Sequence, residues 1–158
     1  MLNEDKMPFD LAGQGWEVEY SRPGVFVGTP ANARGDHDGT QDPTTIFTVT
    51  GDVLVRVFGI VKTTLVGATA TIELGVTGNT AGLIALTTAT DLVTNEIWGD
   101  ATPTEVGAGL LSGILGPYIV VNGLDIIETL ATANLTGGEI TYVCIWRKLS
   151  ADGKVAGV

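Results

Sequence analysis

Few residues in this chain are placed to do chemistry. His37 stands among Asp36, Asp38 and Asp42. Carboxylates around an imidazole are a donor set for a divalent cation, and Asp36-His37-Asp38-Gly39 is laid out like the opening of a calcium loop. The further oxygen ligands and the closing bidentate Glu of such a loop are missing. A solvated acidic turn is therefore the default reading of Asp36, His37 and Asp38, and no metal is expected. Arg34-Gly35-Asp36 spells an integrin-binding tripeptide, which arises by chance in loops rich in Gly and Asp. Cys144 alternates in phase with Tyr142 and Trp146, as a small buried hydrophobe would. A nucleophile there would want a His or a cation beside it, and the single His lies far away in sequence. Glu73, Glu128 and Glu139 read as solvent-facing strand positions. A glycosidase pair built from them would need an aromatic-lined cleft, which three scattered Trp and three Tyr do not supply. Gly107-Ala108-Gly109 lacks the Lys and the helix of a phosphate loop. No catalytic residue and no cofactor is expected.

The elements that would carry such residues are strands. Ala70, Ile72, Leu74 and Val76 alternate with Thr71, Glu73 and Thr77, the two-residue period of a half-buried strand. Similar runs cover 45–50, 53–63, 83–86, 96–98 and 139–149, and a helical turn fits 90–94. In 53–63 both faces are apolar: Val53, Val55, Val57 and Val61 on one, Leu54, Phe58 and Ile60 on the other. That pattern calls for a central strand or a second buried surface such as a subunit contact. Asn122-Gly123 between 118–121 and 124–131 is the strongest two-residue hairpin signal, because both central residues of a type I′ turn need positive φ. The expected fold is all-β, an antiparallel β-sandwich that is jelly-roll-like, with an immunoglobulin-like sandwich as the second choice.

Composition agrees and excludes several functions. Of 158 residues, 22 are Gly and 44% are hydrophobic, so one domain with many tight turns is expected. The net charge of −10 offers no basic patch for phosphates, so neither nucleic acid nor an anionic membrane surface is an expected partner. One Cys cannot form an internal disulfide. Met1-Leu2-Asn3-Glu4-Asp5-Lys6 is too polar for a signal peptide, and 106–121, interrupted by glycines and a proline, is no membrane span.

Residues 1–43 read as a loop-rich N-terminal arm, 44–150 as the β-sandwich domain and 151–158 as a short loose tail. Within the arm, Trp16, Val18 and Tyr20 share one side of a short candidate strand, and 25–27 is another. Residues 29–43 form a long polar loop. The isolated aromatics Phe9, Trp16, Tyr20 and Phe26 are the candidate partner-binding residues. The arm either lies on its own domain or docks on a neighbouring subunit.

The segment 136–153, Thr-Gly-Gly-Glu-Ile-Thr-Tyr-Val-Cys-Ile-Trp-Arg-Lys-Leu-Ser-Ala-Asp-Gly, resembles the C-terminal strand of small proteins encoded beside the major capsid protein in tailed bacteriophages. Residues 83–92 and 96–98 resemble the middle of the same proteins. The family is that of capsid decoration, or cement, proteins, and the resemblance covers about residues 44–153 in texture and order. It implies a non-enzymatic virion structural protein that binds across major capsid protein subunits and stabilises the expanded head. It further implies a homo-oligomer, a trimer before a dimer, on the capsid surface and made in the host bacterial cytoplasm. The alternative is a phage tail or head-fibre β-module that binds host surface glycans. A small hydrolase or lyase on a cupin-like barrel comes last, since one His is too few for its metal.

Overall fold

The computed structural model describes residues 15–39, 42–105 and 116–158. In chain order its strands are β1 (Glu17–Tyr20), β2 (Gly24–Val25), β3 (Thr44–Thr50), β4 (Val53–Val66), β5 (Thr71–Val76) and β6 (Asn79–Thr88). After a 3-10 turn at Ala89–Asp91 follow β7 (Glu96–Trp98), β8 (Thr104–Glu105), β9 (Tyr118–Val120), β10 (Ile126–Ala131), β11 (Gly137–Lys148) and β12 (Lys154–Gly157). They form two antiparallel sheets. The larger runs β1-β11-β4-β7-β8, with β2 also on β11 and β9 on β4; the smaller runs β12-β3-β10-β5-β6.

The chain is all-β, and its two sheets form a sandwich. Successive strands β3, β4, β5 and again β10, β11, β12 step from one sheet to the other, as a jelly-roll-like sandwich requires; the β5–β6 hairpin stays within the smaller sheet. Alternation explains the core between them. Val53, Val55, Val57 and Val61 of β4 and Ile140, Tyr142, Cys144 and Trp146 of β11 point inward and are buried. They meet Phe47 and Val49 of β3, Ile72 and Leu74 of β5, and Ile126 and Leu130 of β10. Each such aliphatic side chain contributes about 1.5–3 kcal/mol on burial. Trp98 and Tyr142 pack with ring centroids 6.1 Å apart, and Trp98 Nε1–H donates to Thr87 Oγ1 at 2.9 Å.

Two expectations are corrected. Asn122-Gly123 does form a turn with both φ positive, at 59° and 64°, but it closes no hairpin. β9 pairs with β4 and β10 pairs with β3 and β5, so the turn carries the chain between sheets. The reason is where its amides go: Asn122 N–H donates to Asp52 Oδ1 and Gly123 N–H to Gly51 O, both at 2.9 Å. The turn thus docks on the β3–β4 turn instead of ending a ladder.

The tail is not loose. β12 pairs with β3 from Lys154↔Thr50 to Gly157↔Phe47, and Val155 is wholly buried. Val158 N–H donates to Ile46 O, and Val158 O accepts from Arg22 N–H, both at 3.0 Å. Small residues there suit a strand tucked against a crowded edge.

The described residues of the arm lie on their own domain, one of the two placements that the sequence left open. β1 and β2 both add to β11, with Glu17↔Trp146 to Tyr20↔Val143 and Glu139↔Val25 as partners. The polar loop is tied down by Asn134, whose Oδ1 accepts from His37 N–H at 3.0 Å and whose Nδ2 donates to Gly28 O at 2.9 Å. Leu135 N–H donates to Gly35 O at 2.8 Å, and Leu130 N–H to Asp42 Oδ1 at 2.8 Å. A polar sequence can be fixed in place when its partners are backbone groups of the neighbouring chain.

Candidate docking face

In an antiparallel pair, residues directly opposite share a face, so the register places every side chain of the larger sheet. The inward set of β4 and β11 is the core. The outward set is Leu54, Arg56, Phe58, Ile60 and Lys62 on β4, and Thr141, Val143, Ile145 and Arg147 on β11. Val18 lies opposite Ile145 and Tyr20 opposite Val143. Ile97 lies opposite Ile60, and Ile119 opposite Leu54. Trp16 completes the alternation with Val18 and Tyr20, and its ring lies 5.2 Å from the Arg56 guanidinium carbon.

A sheet face turned to water normally carries polar residues. This one is apolar through its centre. Phe58, Ile60 and Ile145 are half-buried, and Val143, opposite Phe58, is only 5% exposed although it points away from the core. Around them Trp16, Val18, Tyr20 and Ile119 are exposed by 42, 48, 62 and 64%. β4 and β11 run about ten residues each across it, and β1, β7 and β9 add four, three and three, so at about 4.8 Å between strands and about 3.3 Å per residue the plane is on the order of 500 Å². That is more than half of the roughly 800 Å² per partner of a standard protein interface. A largely apolar face on this scale is a candidate binding surface.

The sequence-derived sites fare differently. Trp16 and Tyr20 lie on this face and are exposed. Phe9 lies outside the described residues. Phe26 is a correction: it is 1% exposed, in the core, with the Arg34 guanidinium carbon 5.0 Å from its ring centroid. Its neighbours Val25 and Val27 take the solvent side, so alternation turns the aromatic inward.

Asp36, His37, Asp38 and Asp42 are brought together by the loop, but their polar atoms serve the fold. Asp36 Oδ2 accepts from Asn32 N–H at 2.8 Å, and its Oδ1 from Asn134 Nδ2 at 3.3 Å. His37 Nδ1 is 3.0 Å from Asp42 Oδ2 and its Nε2 is 3.4 Å from Asp38 Oδ1. Among the described residues no group of His, Cys, Asp and Glu has the geometry to hold a metal ion. The Arg34-Gly35-Asp36 tripeptide presents no free cation, because Arg34 turns inward to Glu128.

Glu128 corrects the reading of a solvent-facing carboxylate. It is 1% exposed, on the inner face of β10 between Ile126 and Leu130. Its Oε2 accepts from Arg34 Nη2 at 2.8 Å and from the Tyr142 hydroxyl at 2.5 Å. Burial pushes the Tyr142 phenol well above its ordinary range, and the Glu128 carboxylate pushes it further. Burial works against the Arg34 charge, yet Glu128 and Tyr142 together hold its pKa above the usual value. This is a structural ion pair, closed by Gly24, whose missing Cβ leaves room for the guanidinium.

Cys144 is buried, and burial, with Glu19 opposite it on β1, pushes its thiol up to about 12. Such a thiol stays protonated at neutral pH and does not attack. The sequence reading missed the outward Val143, Ile145, Ile97 and Ile119. The signal was present: like 53–63, the run 139–149 carries apolar residues in both phases.

No protein-family model matches the chain, and no curated protein matches it. Among solved structures it is similar to a chain of the cyanophage Pam1 capsid asymmetric unit, with a TM-score of 0.40 and 18% identity over 89% of each chain. No helix among the described residues is long and apolar enough to cross a membrane.

Proposed function

We propose that this chain is a non-enzymatic virion protein, a capsid cement protein that clamps major capsid protein subunits. The observation that carries the reading is the apolar outer face of the larger sheet. A protein that only grips needs a rigid platform and surplus apolar surface, and the sandwich supplies both. The resemblance of 83–92, 96–98 and 136–153 to capsid decoration proteins supplies the partner. Free energy gained only on the expanded lattice stabilises that lattice by linkage. Several copies acting together, a trimer in the simplest case, multiply the grip through effective concentration.

Trp16 is on the rim of the face, and residues 1–14, which precede it in sequence, serve as a second point of attachment. The test is binding to purified capsids of the phage that encodes the chain. Val18→Glu, at an exposed position, is expected to lower capsid occupancy with no loss of fold. Deletion of residues 1–14 is expected to lower it as well. Full occupancy by both variants, or absence of the wild-type chain from particles, defeats the reading.

A further inference from the structure

Although the sequence as a whole is acidic and shows no basic run, the candidate docking face carries outward basic residues with no acid between them. The chain has eight basic residues against eighteen acids, and Arg56 and Lys62 stand outward on this face; Arg147, in the same phase on β11, is already engaged. Between residues 53 and 62 of β4 and between 141 and 147 of β11 there is no acid at all. The acids nearest to it are turned away or at its margins: Glu17 and Glu19 take the opposite side of β1, Glu96 of β7 is buried, Glu105 is on the edge strand β8, Asp52 and Asp100 accept from the Asn122 and Thr102 amides in turns, and Glu139 lies beyond, at the bulged start of β11. Arg56 is not a stray surface charge. It lies over the Trp16 ring, so its guanidinium is held at the apolar rim of the face.

Charge of this kind decides what can cover the face. A second copy laid face to face about a two-fold axis near Phe58 brings Arg56 of one copy toward Lys62 of the other. Like charges brought together at a drying interface oppose binding. The complement must come from a surface of another composition. Resting on the capsid reading above, we infer that the outer face of the larger sheet docks on an acidic, apolar patch of the capsid lattice subunit. Arg56 and Lys62 face carboxylates there, while Phe58, Ile60 and Val143 cover apolar side chains. A local positive face on a molecule of net charge −10 also orients its approach, since the rest of its surface is repelled by the same patch.

The sign of the salt dependence tests this. A chain of this net charge, binding an acidic lattice without a charge-matched face, would bind better as salt screens the repulsion. With the matched face, affinity for purified capsids is expected to fall about tenfold between about 50 mM and about 500 mM NaCl. Arg56→Glu with Lys62→Glu is expected to weaken binding at low salt about tenfold or more and to flatten the salt response. Lys154→Glu, exposed on the smaller sheet, is the control and is expected to change little. Circular dichroism and thermal midpoints confirm that each variant is folded. Binding that strengthens with salt, ignores it, or falls equally with Lys154→Glu overturns the inference and leaves the capsid reading standing. No binding at any salt overturns both. Self-association without capsids that Arg56→Glu abolishes also overturns it, by giving the face to a second copy.

Discussion

Arg34 and Glu128, ninety-four residues apart in sequence, meet at 2.8 Å inside the sandwich. One belongs to a polar loop ahead of the first core strand, the other to the middle of β10. Their pairing fastens the loop to the core, with Tyr142 as the third member and Phe26 beneath the guanidinium. Removing one partner leaves the other as an uncompensated buried charge. Arg34→Ala is therefore expected to destabilise the fold by about 3–5 kcal/mol. The double variant Arg34→Met with Glu128→Gln is expected to cost clearly less, since no buried carboxylate remains. Urea denaturation of the three proteins checks the order, and equal losses in both variants would contradict it.

Asn134 gives a gentler handle on the same loop. Its side chain serves His37 N–H, Gly28 O and Asp36 Oδ1. Asn134→Ala is expected to cost about 1–3 kcal/mol, the range for leaving buried polar groups unsatisfied. Amide exchange should rise at His37 while β4 and β11 stay protected. Uniform loss of protection across the sandwich would show that the loop is not a local unit.

Much of this was legible in residues alone, for an identifiable reason. Where one face is buried, the period of two assigns it without further information, as at Ile72 and Leu74 or at Tyr142, Cys144 and Trp146. Turn chemistry was equally plain at Asn122-Gly123. What the turn joins was not, because the decision lies with Asp52 and Gly51, seventy residues upstream. Glu128 was misread because alternation says which side a residue takes but not that Arg34 awaits it there. The candidate docking face was half-legible, in the double apolar phase of 53–63. Its extent needed the register, which sets Val18, Tyr20, Ile97 and Ile119 beside that strand.

Gly123 isolates the value of the turn. Its φ of 64° suits Gly, and an added Cβ would lie 3.2 Å from Val49 O. Gly123→Ala is expected to cost about 1–2 kcal/mol, from the left-handed conformation and the close carbonyl. A fall in the thermal midpoint of several degrees, with unchanged far-ultraviolet dichroism, is the expected signature. An unchanged midpoint would mean that the turn relaxes to another conformation.

Base should undo this fold at two buried acids, and the sign follows from linkage. Folding raises the pKa of Cys144 from an ordinary 9.0 to about 12, and raises that of Tyr142 well above 10.0. A group held protonated by the fold gives its full stabilisation below its unfolded pKa and loses it as pH climbs toward the folded one. Stability is thus expected to be flat near neutrality, to fall from about pH 9 as the unfolded thiol ionises, and to fall faster above about pH 10. The Cys144 share, taken over its whole shift, is on the order of 4 kcal/mol. Cys144→Ala should cost some stability at pH 7 through lost packing, yet soften the decline between about pH 9 and pH 10. In the native protein, a thiol reagent at pH 8 should react with Cys144 only as fast as the chain unfolds. Rapid modification of the folded chain, or a variant whose alkaline decline matches the wild type, would show that the thiol is not held in the dry interior between β1 and β4.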